Sequence, residues 1–590
     1  MPLTWKKAQY QSNNDIPLQT LQEQWQQRYG FSSQFIELLW LRGVRESTDL
    51  DRILSSDNTS VYHYWKLLPG AEEAAARLIN EAKAGNRILI YGDYDVDGIT
   101  STSILWNFLY RDLKADAVPF IPHREREGYG LNRDTVEQLL VKENIDNKKV
   151  TLVTVDCGIR DSELIRELKL KYKNLQVIIT DHHQLPQDFD KSDFPADLLV
   201  HPQLPQSKVD PREICAAAVV WGIVCAAASK NTAKTSEVER PQGLELVALA
   251  TVCDIMPLIG LNRDIVKAGL TKFSSTESVG VRALMQMAGI REKTIYSYHL
   301  GFVLGPRINA AGRIGEPIDA VRMLCTQDYN TALKLAVKLD ELNKQRRAMT
   351  TSALETTGQD VDTSTEKLIF VENRQWKEGV VGLIAGKLSE KFQLPVIAAT
   401  ENSEGEWVGS ARSVEGFDIT KALTENADIL KKYGGHAEAA GFTVSADKLS
   451  TLKQNLQKQA SETIIDDDSS QIVKYDLQLQ LNKFREALIE EISQLEPFGN
   501  ANEQPIFLLQ GEKLSPIRYF GRDNKHVKLE TEKQSPLEFI WFNHQFPRGS
   551  DISSRTHHDL LGYLGYNEWN GKKIPQFNVR KHRISNNEES

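Results

Sequence analysis

RILIYGDYDVDG, residues 87–98, joins a short run of branched apolar side chains to three alternating acids, Asp93, Asp95 and Asp97. The run has the length and β-branched content of a buried strand, and two later segments repeat the pattern. VTLVTVD ends on Asp156, and LQVIITD ends on Asp181, which His182 and His183 follow. Helical stretches lie between them, TSTSILWNFLYRDL and RDSELIRELKLKY among them. Alternating units of this kind predict an α/β fold with an open, mainly parallel sheet covered by helices. In such a sheet the residues just past the strand C-termini share one edge, where ligands bind. Three strands would deliver five aspartates and two histidines to one crevice, and Asp254, after the apolar run ELVALATVC, is a further contributor.

Hard carboxylates with one or two imidazoles suit Mn²⁺ or Mg²⁺, whereas a structural zinc site more often uses thiolates. So many negative charges in one place cost free energy unless cations neutralise them. Two metals ~3.5–4 Å apart, bridged by a carboxylate, would activate a water and steady the leaving oxygen of a phosphodiester. A single Asp after a strand is ordinarily a turn residue or a helix N-cap. Capping does not call for a His-His pair or three alternating acids, and it is the convergence that points to metal.

The whole chain of 590 residues carries 80 Asp+Glu against 71 Lys+Arg, a formal charge of -9. That excludes a protein basic all over, such as one that coats DNA, but leaves room for a local basic groove. The acidic sum alone leans towards an enzyme of small molecules; the acid cluster withdraws that lean. No stretch approaches the ~18–20 apolar residues of a membrane span, and MPLTWKKAQYQSNNDIP lacks the apolar centre of a signal peptide. Five cysteines without a CxxC pair argue against a disulfide framework or a structural zinc site and favour a cytoplasmic location.

The length implies several domains. Residues 1–60 are expected to form an N-terminal helical cap, with Phe31–Leu54 helical, and 61–327 the first α/β domain. A long charged connecting helix occupies 328–360, a second α/β domain 361–465, and a small β-barrel 466–590, where short strands alternate with turn signals. The polar stretches Ser229–Arg240, Thr357–Glu366 and Ile464–Ser470 read as loop, hinge and break. Residues 511–530 hold five Lys/Arg against three acids, with Tyr519 and Phe520 among them, and 571–590 hold five against two. Basic residues interleaved with aromatics suit single-stranded nucleic acid.

DYDVDG, VDCGI, DHH and ATVCDIMPL resemble, in the same order, the four motifs of the DHH phosphoesterase superfamily, and YGGHAEAAGF resembles the glycine–histidine motif of the DHHA1 domain. PHREREGYGL (122–131), GPRINAAGRIG (305–315), WKEGVVGLIAGKL (376–388), GSARS (409–413) and LEPFGNANEQPIF (495–507) are similar to the branch that degrades single strands from the 5′ end. GRDNKHVKL and NEWNG add to the likeness. The resemblance implies that Asp95, Asp97, Asp156, His182 and Asp254 bind two Mn²⁺ or Mg²⁺ ions, with Asp156 bridging. Asp93 would complete one shell, because Tyr91 stands where many relatives have His. His183 would face the scissile phosphate, and Asp181 would orient a histidine. Arg124, Ser410 and Arg412 would hold a 5′-terminal phosphate, for which an arginine pair and a hydroxyl are suited. Arg307, Asn309 and Arg313 would contact the nucleic-acid backbone, and Gly435 and His436 the nucleotide.

The C-terminal region resembles an OB-type barrel. The expected activity is metal-dependent 5′-to-3′ hydrolysis of single-stranded DNA to 5′-mononucleotides, in recombination and repair. A helicase and a single-strand-binding protein are expected partners, and no membrane. Two rival readings are a phosphodiesterase of short oligoribonucleotides or cyclic dinucleotides, whose compact relatives lack a barrel, and a non-catalytic replication scaffold, which would have lost ligands. Three positions depart from the pattern: His201 stands in LLVHPQ where Asn-Pro is usual, Lys377 replaces a His, and ICAAAVV has alanine where glycine is common.

Overall fold

The structure, a computed structural model, describes residues 4–8, 16–55, 58–231, 241–291, 294–357, 366–464, 472–533, 535–544, 556–569 and 572–585. Most of the predicted loop, hinge and break at 229–240, 357–366 and 464–470 lies outside them. Contacts divide the chain into two units, Asn58–Asp466 and a second made of Met1–Asp57 with Asp467–Ser590.

Asn58–Asp466 contains a five-stranded sheet of β1 (Arg87–Tyr91), β2 (Ala117–Phe120), β3 (Val150–Val155), β4 (Leu175–Thr180) and β5 (Leu198–Val200). Its order is 2-1-3-4-5 and every pairing is parallel. β3 is buried at all its positions, which is why such strands are continuous apolar runs and do not alternate. From β1 the chain passes to β2 on one side, and β3 then lies on the other. That switch point opens a crevice beyond the strand C-termini.

The helix that follows β1, α1 (Val96–Trp106), is buried over its first ten residues. Thr100, Ser101 and Ser103 tolerate this because each hydroxyl donates to a carbonyl one turn back. Beside it pack α2 (Ala216–Asn231), buried from Ala216 to Ala227, and α3 (Leu244–Cys253), buried from Leu244 to Thr251. Both are apolar all round, as interior helices are. Further on come α4 (Gly305–Ile314) and α5 (Tyr329–Thr357), the latter the long charged helix that the sequence predicts.

A second sheet follows, of β6 (Ile369–Glu372), β7 (Val396–Glu401), β8 (Glu406–Arg412), β9 (Leu430–His436) and β10 (Ala439–Ser445), in the order 9-10-8-7-6. Only β6 and β7 are parallel, joined through α6 (Glu378–Phe392), whose Val380, Val381, Ile384 and Leu388 pack with strand residues Ile369, Val396 and Ala398.

In the other unit β11 (Phe507–Phe520), β12 (His526–Thr531), β13 (Glu538–Trp541), β14 (His557–Trp569) and β15 (Lys572–Ile584) follow the order 11-12-13-15-14. β14 pairs back onto β11 and closes a five-stranded barrel around Phe507, Phe539, Leu560 and Phe577. The same apolar cluster takes in Leu21, Trp25, Phe35, Ile36 and Leu39 from the helices Leu18–Tyr29 and Ser33–Leu41. The helices of the segment expected to form an N-terminal helical cap thus bury their apolar faces in the barrel's unit. Thr4–Lys7 also pairs with Ile472–Tyr475 as a parallel strand. Among the described residues no helix is long and apolar enough to cross a membrane.

Candidate metal centre and phosphate pocket

Asp93, Asp95 and Asp97 leave β1 at the switch point and Asp156 leaves β3 beside them. Asp95 does cap α1, its Oδ1 accepting the Gly98 N–H over 3.1 Å, and still joins Asp93 and Asp156 in a group whose ligand atoms lie within 4.8 Å of one another. Gly98 makes the turn possible: a Cβ there would stand 2.4 Å from the Asp93 carbonyl oxygen. Asp97 is held from across the crevice, accepting the Ala216 and Ala217 N–H groups at 2.6 and 2.7 Å. These belong to the first turn of α2, where free N–H groups favour an anion. The alanines of ICAAAVV act through their backbone, so glycine is not required for this contact.

A second group comprises Asp97, His182 and Asp254, and a third Asp156, His182 and His183. His182 Nε2 lies 3.2 Å from Asp156 Oδ1, 3.5 Å from Asp254 Oδ2 and 3.6 Å from Asp97 Oδ2. Asp156 belongs to two of the three groups and adopts φ 66°, a left-handed conformation that costs free energy in a non-glycine residue. Burial and then mutual repulsion raise the acids: Asp97 to about 7, Asp254 to about 9, with Asp93 and Asp156 well above the usual carboxylate range. Burial, then His183, pushes His182 down to about 3, so its imidazole is neutral.

The donor set fits divalent cations. Asp93 Oδ1, Asp156 Oδ1 and Asp254 Oδ2 are buried without a hydrogen-bond donor, and they converge with a neutral imidazole. Buried carboxylate oxygens are costly unless paired or bound to metal. The Asp93–Asp95–Asp156 and Asp97–His182–Asp254 groups, linked by Asp156 Oδ1 at 3.2 Å from His182 Nε2, match two ions, and oxygen donors with one nitrogen match Mn²⁺ or Mg²⁺.

Asp181 is fully buried and spent on N–H donors. Oδ1 accepts from His182 N, His183 N and His183 Nδ1 at 2.7, 3.2 and 2.8 Å, and Oδ2 from Ile159 N at 3.0 Å. Burial would raise this carboxyl, but the His183 hydrogen bond and charge outweigh it and hold it well below the usual range. Burial likewise lowers His183, and Asp181 reverses this so that the imidazole is raised. His201, the unexpected residue, is fully buried and donates from Nε2 to the His183 carbonyl at 2.8 Å, while its Nδ1 accepts from Gln203 N at 3.1 Å. Sequence reasoning missed Tyr129, whose hydroxyl is 3.1 Å from His183 Nε2 and 3.2 Å from Nδ1. Its signal was available: glycines flank it on both sides, Gly128 and Gly130, both at φ 80°, and the ring is half exposed.

Arg124, Arg313, Ser410 and Arg412 come together where the first α/β region meets the second sheet. Arg412 donates to Ser410 Oγ at 3.2 Å and to the Ala411 carbonyl at 2.8 Å. Burial and then the charge of Arg124 lower Arg412, and burial followed by Arg124 and Arg346 pushes Arg313 down to about 10. Glycines make room for them: a Cβ at Gly379 would stand 1.9 Å from the Arg313 carbonyl oxygen, and one at Gly382 would stand 3.1 Å from Ser410 Oγ. Mutually repelling, half-buried guanidiniums form a pocket that an anion would relieve. Arg346, whose buried Nε has no partner, was not singled out from sequence.

Arg307 is differently placed, bound to Asp340 at 3.0 Å and to the Val303 carbonyl at 2.5 Å. Asn309 lies two residues on along α4. Gly435 and His436 sit on the exposed edge strand β9, and His436 is in none of the three donor groups. Gly435 has φ 153°, and a Cβ there would meet the Ala439 carbonyl oxygen at 2.3 Å, so the hairpin itself demands glycine.

A parallel sheet with a shared-aspartate donor cluster at its switch point, next to an arginine–serine pocket, defines a divalent-metal phosphoesterase of the DHH class. Family models agree: the DHH family N-terminal domain matches residues 87–251, the DHHA1 domain 365–462 and the RecJ OB domain 475–581. The chain is 31% identical over 554 residues to the single-stranded-DNA-specific exonuclease RecJ of Bacillus subtilis (strain 168), covering 93% of this chain and 67% of that one. It is 31% identical to the exonuclease of the same name from Thermus thermophilus, over 90% of this chain and 72% of that one. The crystal structure of RecJ in complex with Mn²⁺ from Thermus thermophilus superposes with a TM-score of 0.78 at 28% identity, over 98% of this chain and 79% of that one. A Mg²⁺ complex from the same source gives 0.73 at 26% identity, over 98% and 78%. This chain belongs to the RecJ family.

Proposed function

We propose that the chain is a cytoplasmic two-metal exonuclease that degrades single-stranded DNA from its 5′ end, releasing 5′-mononucleotides during recombination and repair. The observation that carries this reading is the pairing of the Asp156-centred cluster with the Arg124, Ser410 and Arg412 pocket within one unit. One binds cations and the other an anion, as cleavage next to a terminal phosphate requires.

Asp93, Asp95 and Asp156 would hold one ion, and Asp97, Asp156, His182 and Asp254 the other. When bound, the ions supply Lewis acidity and lower the pKa of a water. Arg124 and Arg412, with the Ser410 hydroxyl, grip the terminal phosphate and set the distance to the bond that is cut. His183, its Nδ1–H held by Asp181, directs Nε2 and the Tyr129 hydroxyl towards the phosphate, where they donate to an oxygen that gains charge. Asp181 is a positioning residue. The barrel, with Arg518, Tyr519, Phe520, Arg522 and Lys525 on β11 and the turn after it, gives single strands basic and aromatic contacts. Its presence supports this reading over one of a compact oligonucleotide phosphodiesterase. A helicase that frees 5′ ends and a single-strand-binding protein are the partners such a reaction calls for.

An assay on 5′- and 3′-labelled single strands, duplex DNA and RNA, with Mn²⁺, Mg²⁺ or EDTA, tests it. Release of labelled 5′-mononucleotide from single-stranded DNA, absent in EDTA, is expected. Early loss of the 3′ label with the 5′ end intact would overturn the polarity.

A further inference from the structure

Tyr91 ends β1 two residues before Asp93, at the position where many relatives have His, and it belongs to none of the three donor groups. Side chains alternate across a strand. Ile88 and Ile90 therefore pack with α1, α2 and α3, whereas Leu89 and Tyr91 pack on the other face of the sheet with Leu131, Leu152 and Ile159. The Tyr91 ring is buried there against Phe120 of β2, with centroids 5.2 Å apart. A buried phenol needs hydrogen-bond partners, and this one has two, both on the backbone. Its hydroxyl donates to the Gly130 carbonyl at 3.2 Å and accepts the Asn132 N–H at 3.4 Å.

Gly130, Leu131 and Asn132 lie on the loop between β2 and the helix Arg133–Lys142. From the turn after β3, Asp161 Oδ2 accepts the Leu131 N–H at 3.2 Å. Three consecutive residues are thus pinned by two side chains, one from β1 and one from beyond β3. The fit is close: a Cβ on Gly130, which sits at φ 80°, would stand 3.3 Å from Asp161 Oδ2.

The residue just before this pinned stretch is Tyr129. Its hydroxyl lies 3.1 Å from His183 Nε2 and 3.2 Å from Nδ1, and the two rings meet edge-on with centroids 5.6 Å apart. Half of Tyr129 is exposed, so packing alone does not fix its ring. The backbone anchor that follows it does.

The other end of the loop, which carries Arg124, has supports of its own. Glu127 accepts the His123 N–H at 2.6 Å, and Arg126 pairs with Glu316, just past α4, at 2.9 Å. Asn132 Nδ2 reaches the Glu127 carbonyl at 3.4 Å and closes the loop on itself. None of these contacts involves the Tyr91 hydroxyl.

We propose that Tyr91 is a positioning residue for the reaction: its hydroxyl holds the Gly130 and Asn132 backbone so that Tyr129 presents its own hydroxyl beside His183. This rests on the reading in which Tyr129 donates to an oxygen of the scissile phosphate. Placement of such a donor is exacting, since a misplacement of about 1 Å can cost about 100-fold in rate. The end of β1 then serves the site through this loop, on the face of the sheet away from α1.

The test is a double-mutant cycle in the full chain, at a temperature where every variant is folded. Tyr91→Phe removes the hydroxyl and keeps the ring. On a 5′-phosphorylated single strand its kcat should fall about tenfold, with KM little changed. The preference for a 5′-phosphate over a 5′-hydroxyl end should stay as in the wild type, because the Arg124 end of the loop is held separately. Tyr129→Phe should lower kcat about 10- to 100-fold. Adding Tyr91→Phe to it should cost less than about twofold more, since there is then no hydroxyl left to position. Asp161→Ala should behave as Tyr91→Phe does, and Asp161→Asn, which keeps an oxygen for the Leu131 N–H, should restore kcat. Losses that add in the double variant overturn the proposal, as does a wild-type kcat in Tyr91→Phe or in Tyr129→Phe. A change in the 5′-phosphate preference of Tyr91→Phe also overturns it, by showing that the whole loop has loosened. If end-labelled strands show cutting from the 3′ end, the exonuclease polarity fails by itself, while the cycle still decides whether Tyr91 acts through Tyr129.

Discussion

Asp181 Oδ1 accepts the His183 Nδ1–H at 2.8 Å while Oδ2 accepts the Ile159 N–H at 3.0 Å, so the carboxylate fixes the imidazole against the backbone of the loop after β3. The ring's Nδ1 directs its proton to Asp181, and the Tyr129 hydroxyl lies 3.1 Å from Nε2 and 3.2 Å from Nδ1. Asp181→Asn offers an amide N–H to donors that need an acceptor. Its kcat should fall about 10- to 100-fold, as when partners that orient a reactive histidine are lost, with KM for a single strand little changed. Steady-state kinetics on a 5′-labelled oligonucleotide measure this; a kcat near wild type would remove Asp181 from the reaction.

The strand–acid pattern made the first sheet and its donor edge legible, because parallel strands buried on both faces have to be apolar and their C-terminal ends have to converge. VTLVTVD and LQVIITD lead to Asp156 and Asp181 in the structure as the pattern demands. Contacts made by backbone groups were not legible. Asp97 is held by the N–H groups of Ala216 and Ala217, and nothing in an alanine side chain signals that. Docking of the N-terminal helices on the barrel was hidden for a similar reason: an amphipathic face such as Leu21 with Trp25 states that it is buried, not against what. In the sequence His201 is only a departure from the family pattern, and its meaning depends on the His183 carbonyl brought in by the fold.

The acid cluster should make stability depend on pH in opposite ways with and without metal. Burial, then neighbouring carboxylates, raise Asp97 to about 7 and Asp254 to about 9, far above the ~4 of an unfolded aspartate. Between these values the folded protein holds protons that the unfolded chain has released, so metal-free stability falls as pH rises from about 4 to about 9. Cations take the place of those protons. Differential scanning calorimetry in EDTA should show Tm declining across that window, and Mn²⁺ should raise Tm more at pH 8 than at pH 5.5. Titration with Mn²⁺ in buffers of different ionisation enthalpy should show proton release. A Mn²⁺ stabilisation equal at both pH values would contradict the assignment.

Arg412 and Arg124 should report the terminal phosphate. Arg412→Ala removes a charged donor beside Ser410, and hydrogen bonds to charged groups contribute about 1.5–3 kcal/mol. kcat/KM on a 5′-phosphorylated strand should drop roughly 10- to 100-fold, while on a 5′-hydroxyl strand it should hardly move. Removing a guanidinium that repels its neighbour should leave Tm unchanged or raise it slightly. Equal losses on both substrates would mean that the pocket contacts the strand elsewhere.

His201 gives the sharpest test of how the histidine pair is held. Its two nitrogens are used in opposite senses, Nε2–H towards the His183 carbonyl and Nδ1 accepting the Gln203 N–H. Burial lowers its pKa, which keeps the ring neutral and this arrangement intact at neutral pH. His201→Ala removes the partner of a part-buried carbonyl and a part-buried N–H, each at no more than about 1–3 kcal/mol, so Tm should fall, and kcat with it, as the His183 peptide relaxes. His201→Asn carries one donor and one acceptor on a shorter side chain, and should recover most of the Tm and of kcat. If Asn restores Tm but not kcat, the imidazole takes part in more than holding the loop; if Ala matches wild type in kcat at a temperature where both are folded, the His183 peptide is positioned by Asp181 alone.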